Sequence, residues 1–200
     1  MTGVLYDFGA GIQPYKDDIL KTASNYISVD WPNTFHGLRA DIVADLNHSL
    51  PIDSSVADTI VCFQVMEHLC EPQTMLNEAI RILKPGGKII LSVPFQWWIH
   101  EEPYDYFRFT RYGLQYMLTK AGFIEIEVEE VAGFWSMWFL KLNYQTNRLV
   151  RGPWILQLIV RSCLLPFWFI NQLASPIVDR FWHCFQETQG YFVKAKKYEP

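Results

Sequence analysis

The sequence predicts an α/β fold on a mostly parallel sheet, and three stretches carry that prediction. Residues 4–14, VLYDFGAGIQP, read as a buried strand with Asp7 at its carboxyl end, then a turn in which Gly9 and Gly11 let backbone approach a ligand closely. Residues 58–65, DTIVCFQV, are largely apolar and β-branched, as a strand covered on both faces requires. Residues 88–94, KIILSVP, repeat that pattern beyond a helical segment.

Pro14 suits the first turn of a helix, where its missing N–H is no loss, and Ile19 and Leu20 give that helix an apolar face. Residues 26–29 form a second strand ending at Asp30, 23 residues beyond Asp7. Strand, glycine turn, helix and acid-capped strand make one right-handed βαβ unit, with its ligand site at the strands' carboxyl ends. Residues 40–52 hold a third, edge strand ending near Asp45, then a turn at Leu50-Pro51. Met66 to His68 fall at the end of the fourth strand. Pro72 opens a helix with Met75, Leu76, Ala79, Ile80 and Leu83 at helical spacing, closed by Lys84-Pro85-Gly86-Gly87.

Residues 95–110 are too long and too rich in ionisable groups for a plain turn, which points to function. Residues 112–121 predict an amphipathic helix with Leu114, Met117, Leu118 and Ala121 on one face and Gly122 as its stop. Ile124, Ile126 and Val128 then alternate with Glu125, Glu127 and Glu129, a strand wet on one face. Residues 190–196 supply the last strand. Between these two strands lies an apolar helical insertion, residues 134–186, in which Gly152-Pro153 and Ser175-Pro176 separate three blocks. Arg161 and Pro166 interrupt the middle block short of a spanning length of about 20 residues. The insertion is therefore expected to cap the substrate side, to make peripheral membrane contact, or to pair with a second copy.

A chain of 200 residues suits a single domain with a sizeable core. A net charge of −4 without a basic patch argues against a nucleic-acid partner. Cys62, Cys70, Cys163 and Cys184 show neither a CxxC pair nor zinc spacing, so reduced thiols in a cytoplasmic protein, with no metal site, are expected. The N-terminus shows no secretory signal, and Met1 lies so near the first strand that a shortened start is suspected.

Taken in order, Asp7 to Gly11, Asp30, Asp45, residues 50–69 (LPIDSSVADTIVCFQVMEHL) and residues 78–94 (EAIRILKPGGKIILSVP) resemble the class I S-adenosylmethionine-dependent methyltransferases. Residues 100–123, HEEPYDYFRFTRYGLQYMLTKAGF, are similar to members found with cell-surface polysaccharide and glycosyl-transfer genes. The resemblance implies a three-layer, Rossmann-like methyltransferase sandwich whose seven-stranded sheet runs 3-2-1-4-5-7-6 with the last strand antiparallel. It also implies S-adenosyl-L-methionine as cofactor and a small-molecule, sugar or lipid-linked sugar acceptor. By position, Gly9 and Gly11 would pass under the methionine part, Asp7 would help fix its ammonium group, and Asp30 would accept from both ribose hydroxyls. Asp45 would take the adenine amino group, Leu46 would pack nearby, and Gln64 would line the methionine end. Gln13 departs from the pattern where a third glycine is common.

Methyl transfer needs a nucleophile aligned with a sulfonium methyl in a dry site, and aromatic faces can hold the cation beforehand; Phe8, Phe95, Trp97 and Trp98 are candidates. If the acceptor is a hydroxyl, His100 is the leading base by type and segment, with Glu101 and Asp105 behind it. Arg108 is expected to pair with Asp105, and His68 to be structural or a wall of the cofactor pocket. Two other readings stay open: a non-catalytic or membrane-associated partner that retains the scaffold, and a nicotinamide oxidoreductase. Pro14 stands against the latter, because it occupies the third-glycine position of a phosphate-binding turn.

Overall fold

The computed structural model describes residues 3–34, 37, 39–182, 184 and 186–200. Met1, His183 and Phe185 lie outside them. Seven strands, β1 (Val4–Phe8), β2 (Asn25–Asp30), β3 (Ile42–Val43), β4 (Ala57–Phe63), β5 (Leu83–Pro94), β6 (Phe123–Glu130) and β7 (Gly190–Lys197), form one sheet. Its order, β3-β2-β1-β4-β5-β7-β6, is the expected one. The pairs β1·β2, β1·β4, β2·β3 and β4·β5 are parallel. At the end of β7, Lys197 donates to the Leu83 carbonyl at the start of β5 (2.6 Å), and Lys196 faces Glu125 at the start of β6 (3.5 Å). Ends that oppose starts make β7 antiparallel to both neighbours.

Alternation along β4 divides the core. Ile60 and Cys62 join Phe8 and Val29 on the face covered by α2 (Pro72–Ile82) and α3 (Arg111–Ala121), whose Met75, Leu76, Leu114 and Leu118 are fully buried or nearly so. Val61 joins Leu5 and Tyr26 on the other face, against Ile19 of the short α1 (Lys16–Ile19). Each such buried side chain contributes about 1.5–3 kcal/mol. Helices on both faces of a mostly parallel sheet bear out the expected three-layer class.

Local chemistry moves some boundaries. The KPGG segment does not end α2; it belongs to β5, where Ala57 pairs with Leu83 and Thr59 with Lys88, so the extra residues bulge out with Gly86 at φ +76°. In β6 the alternation slips, because Glu125 takes a left-handed φ of +48° and leaves Ile124 exposed while Phe123 and Val128 are buried. Thr110 caps α3 by accepting from the Gly113 N–H, and Gly122 at φ +100° ends it.

The chain divides into two compact units, the described residues up to Glu129 with Tyr191–Pro200, and Glu130–Gly190. The second contains α4 (Phe134–Leu149) and α5 (Trp154–Phe181). Its helix α5 corrects one expectation: Pro166 and Pro176 do not stop it, and it runs 28 residues through both. A proline removes one N–H donor and crowds the carbonyl four residues back. At Pro176 that carbonyl, Gln172 O, accepts instead from the Ser175 hydroxyl at 3.2 Å. By length and composition α5 could cross a membrane.

Candidate functional site

The carboxyl ends of β1, β2 and β4 open into a cavity of about 510 Å³, the size of a cofactor-sized ligand. Asp7, Gly9, Gly11, Asp30, Asp45, Leu46 and Gln64 all line it, and so do His100 and Glu101. The glycine turn is tied down by short bonds. Gly9 N–H donates to Val29 O at 2.8 Å, and Gly11 N–H to the Asp30 carboxylate at 2.9 Å. The other Asp30 oxygen accepts from Trp31 N–H at 2.8 Å, so that among the described residues each oxygen keeps one further acceptor position. Gln13 keeps the backbone of the glycine it replaces, at φ +59°, with its side-chain amide donating to Ser28 Oγ and Arg39 O. Asp45 is held by an Asx turn, accepting from the backbone and side chain of Asn47.

Asp7 is buried and accepts from the Tyr26 hydroxyl at 2.5 Å. Burial outweighs that bond and, with the nearby Asp30 charge adding, pushes its carboxyl up to about 6. Gln64 lies at a left-handed φ of +55° and donates to Ser92 Oγ.

At the other wall, His100 Nδ1 lies 3.2 Å from Trp98 O and 3.3 Å from the Asp105 carboxylate. Both neighbours are acceptors, so Nδ1 carries the proton and Nε2 the lone pair. Asp105 does not line the cavity; it sits behind His100, accepting from the His100 backbone N–H and from both arms of Arg108 at 2.5 and 2.8 Å. That fork holds its carboxyl down at about 2. Glu101 lies at φ +53° with its carboxylate 3.9 Å from His68 Nε2. His68 packs edge-on to His100, with ring centroids 4.8 Å apart, and its Nδ1 meets Tyr104 O at 2.9 Å.

Sequence reasoning passed over Glu67. It is fully buried, and neither carboxylate oxygen has a hydrogen-bond partner among the described residues. Burial pushes it up to about 8, with Asp105 and Glu101 adding, while its own backbone N–H and Arg108 pull the other way. Its pKa is raised on folding, so the neutral form is the one the fold favours; the associated stability is full below about 4.5 and is lost as pH rises towards about 8. The melting temperature should accordingly fall across that window. Glu67→Gln should flatten the fall and gain at pH 8; a titration of Tm against pH that is identical in the two proteins would refute this. Glu67, His68 and His100 also bring ligand atoms within 4.8 Å of one another, the donor set a divalent cation would need.

The aromatic candidates need correction. Phe8 is in the core, Phe95 packs against Tyr191, and Trp97 stacks on Trp98 at 4.0 Å; none lines the cavity. The aromatic walls are Tyr15 against Phe63 and Trp31 against Tyr104, with Tyr106. Trp31 directly follows Asp30, and that adjacency was the one signal available.

Residues 6–91 match the family model described as a methyltransferase domain, the span that runs from β1 through β5 and builds the cavity's cofactor-matching wall. Over 56 residues the chain is 38% identical to a protein named as a probable S-adenosylmethionine-dependent methyltransferase of Mycolicibacterium smegmatis, covering 28% of this chain and 22% of that protein. Over 62 residues it is 31% identical to a ubiquinone biosynthesis O-methyltransferase of Xanthomonas oryzae pv. oryzae, covering 28% and 26%. The chain thus spans about a quarter of the length of these curated relatives. Among solved structures, the chain's strands and helices match a SAM-dependent methyltransferase of Archaeoglobus fulgidus with TM-score 0.63 and 14% identity, over 98% of this chain and 86% of that one. They match phosphoethanolamine N-methyltransferase 2 of Haemonchus contortus, in complex with S-adenosyl-L-methionine, with TM-score 0.62 and 16% identity, over 100% and 49%. At these identities the likeness is one of fold.

Proposed function

We propose that this chain is an S-adenosylmethionine-dependent methyltransferase that methylates a hydroxyl oxygen of a small-molecule or carbohydrate-type acceptor. One observation carries the reading: every residue that matches the family's cofactor positions faces the same cavity as His100. The residues fit that cofactor. A carboxylate with free acceptor positions at Asp30 suits a ribose diol, Asp7 suits an ammonium group, and the glycine turn leaves room for both. S-adenosylmethionine, when bound, supplies a methyl group on a sulfonium centre.

The chain's own residues then do the rest. Tyr15, Phe63 and Trp31 narrow the cavity and exclude water. His100 Nε2 would take the proton of the acceptor hydroxyl, and Asp105 with Trp98 O would keep Nδ1–H in place and stabilise the imidazolium. The oxygen assignment rests on this Asp–His pair, and the carbohydrate assignment on the resemblance of residues 100–123.

The test is thermal unfolding with S-adenosylhomocysteine. A ligand that binds only the folded state stabilises it by about 2.7 kcal/mol at a hundredfold excess over Kd, so a clear upward shift is expected. His100→Ala should keep that shift while slowing methyl transfer about 10²–10⁴-fold. No shift in folded protein would overturn the reading in favour of a scaffold without catalysis.

A further inference from the structure

We propose that the outward face of α5 docks on an anionic lipid membrane, with the helix lying in the plane of the interface and α4 riding on its polar side. The argument begins with a polarity that is reversed for a helix pair in water. The stripe of α5 turned towards α4 is sewn by polar bonds: Asn171 Nδ2 donates to Asn143 Oδ1 (2.8 Å), Trp168 Nε1 to Thr146 Oγ1 (2.8 Å), and Asn143 Nδ2 to Trp168 O (3.2 Å). Asp179 completes the seam by accepting from the Trp135 and Ser136 N–H groups, which caps α4 from the far end of α5. The opposite side carries Ile155, Ile159, Phe169, Ile170, Leu173 and Ile177, each more than half exposed. At 100° per residue these six fall within about 100° of arc, and no charged residue interrupts that arc until Arg180. Helices joined by polar side chains and apolar outside match a lipid surrounding.

Charge points to the same partner. Between Glu130 and Gly190 there are five basic side chains, Lys141, Arg148, Arg151, Arg161 and Arg180, against three acids, Glu130, Asp179 and Glu187, in a chain whose net charge is −4. Asp179 is occupied in the cap. This unit is therefore cationic where the remainder is acidic, the complement of an anionic headgroup layer. Trp154 at one end of α5 and Phe181 and Trp182 at the other are exposed, where aromatic rings anchor at the boundary between water and acyl chains.

Lying in the plane fits better than spanning. The 28 residues of α5 measure about 42 Å, beyond the roughly 30 Å of hydrocarbon, and α4 is too short and too polar to cross beside it, with Gln145 and Arg148 exposed on its outer side.

The experiment is co-sedimentation of the full chain with phosphatidylcholine vesicles, with and without phosphatidylglycerol. Binding should be at least tenfold stronger with the anionic lipid and weaken as salt rises. The double variant Ile159→Glu/Phe169→Glu should lose it at least tenfold, with helical circular dichroism and melting temperature retained; Ile159→Leu should bind like the parent. Absence of vesicle binding would overturn the proposal, as would a glutamate variant that binds undiminished. A lipid-free dimer that the same variant dissolves would instead assign the face to a second copy. This outcome is independent of the homocysteine-ligand shift, so either reading can fail alone.

Discussion

Replacing Gly9 with alanine is expected to lower stability by about 3 kcal/mol and to abolish cofactor binding. Two independent penalties add. Gly9 sits at φ +74°, where a Cβ costs about 1–2 kcal/mol, and that Cβ would overlap both methyl carbons of Val65. Relief of that overlap costs a further 1–3 kcal/mol or so, because Val65 is β-branched and can turn only between staggered states. For a chain of this length the sum corresponds to a fall in Tm of about 6–12 °C. Val65→Ala added to Gly9→Ala should recover part of the loss, since it removes the methyls and leaves the dihedral penalty. A calorimetric melt of Gly9→Ala indistinguishable from the parent would mean that the turn does not hold this conformation.

Asp30→Ala should weaken S-adenosylhomocysteine binding by at least about 100-fold in titration calorimetry. Hydrogen bonds to a charged group are worth about 1.5–3 kcal/mol each, and every 1.4 kcal/mol is tenfold. The carboxylate serves twice: it would receive the ribose hydroxyls, and it already fastens the glycine turn to the end of β2 through Gly11 N–H and Trp31 N–H. Asp30→Asn separates these duties. Its amide keeps one acceptor oxygen but sets an NH₂ against a backbone N–H, so the turn should loosen while the side-chain volume is unchanged. An unaltered Kd in Asp30→Ala would show that this residue does not meet the ribose.

The sheet was legible because its signals are local. Uninterrupted β-branched runs specify buried strands, and acids at the ends of β1 and β2, with Asp45 just past β3, mark where the polypeptide meets a ligand. What could not be read depends on neighbours distant in the chain. Nothing in residues 95–98 says that Phe95 turns to Tyr191 while Trp97 and Trp98 stack on each other, and nothing near Trp31 announces Tyr104. Arg108, three residues on, was legible as the partner of Asp105, but that Asp105 lies outside the cavity is set by the fold. Glu67 carries no signal in the sequence, because it is burial in the fold that pushes its carboxyl up to about 8. Proline inside α5 was read by its usual effect, without the Ser175 hydroxyl that substitutes for the missing donor.

The place of β7 between β5 and β6 has a bearing on how the polypeptide assembles as it is made. Strand β6 is the outermost in the sheet, and its neighbour there is β7, the last strand to be synthesised. Until that final strand leaves the ribosome, β5 presents an open edge of unpaired amides and carbonyls, a template for other chains. The order of synthesis thus runs against the order of closure. The cofactor-side half, β1 to β5, can form while the rest is still being translated, whereas β6 waits in the cell for a segment some sixty residues downstream.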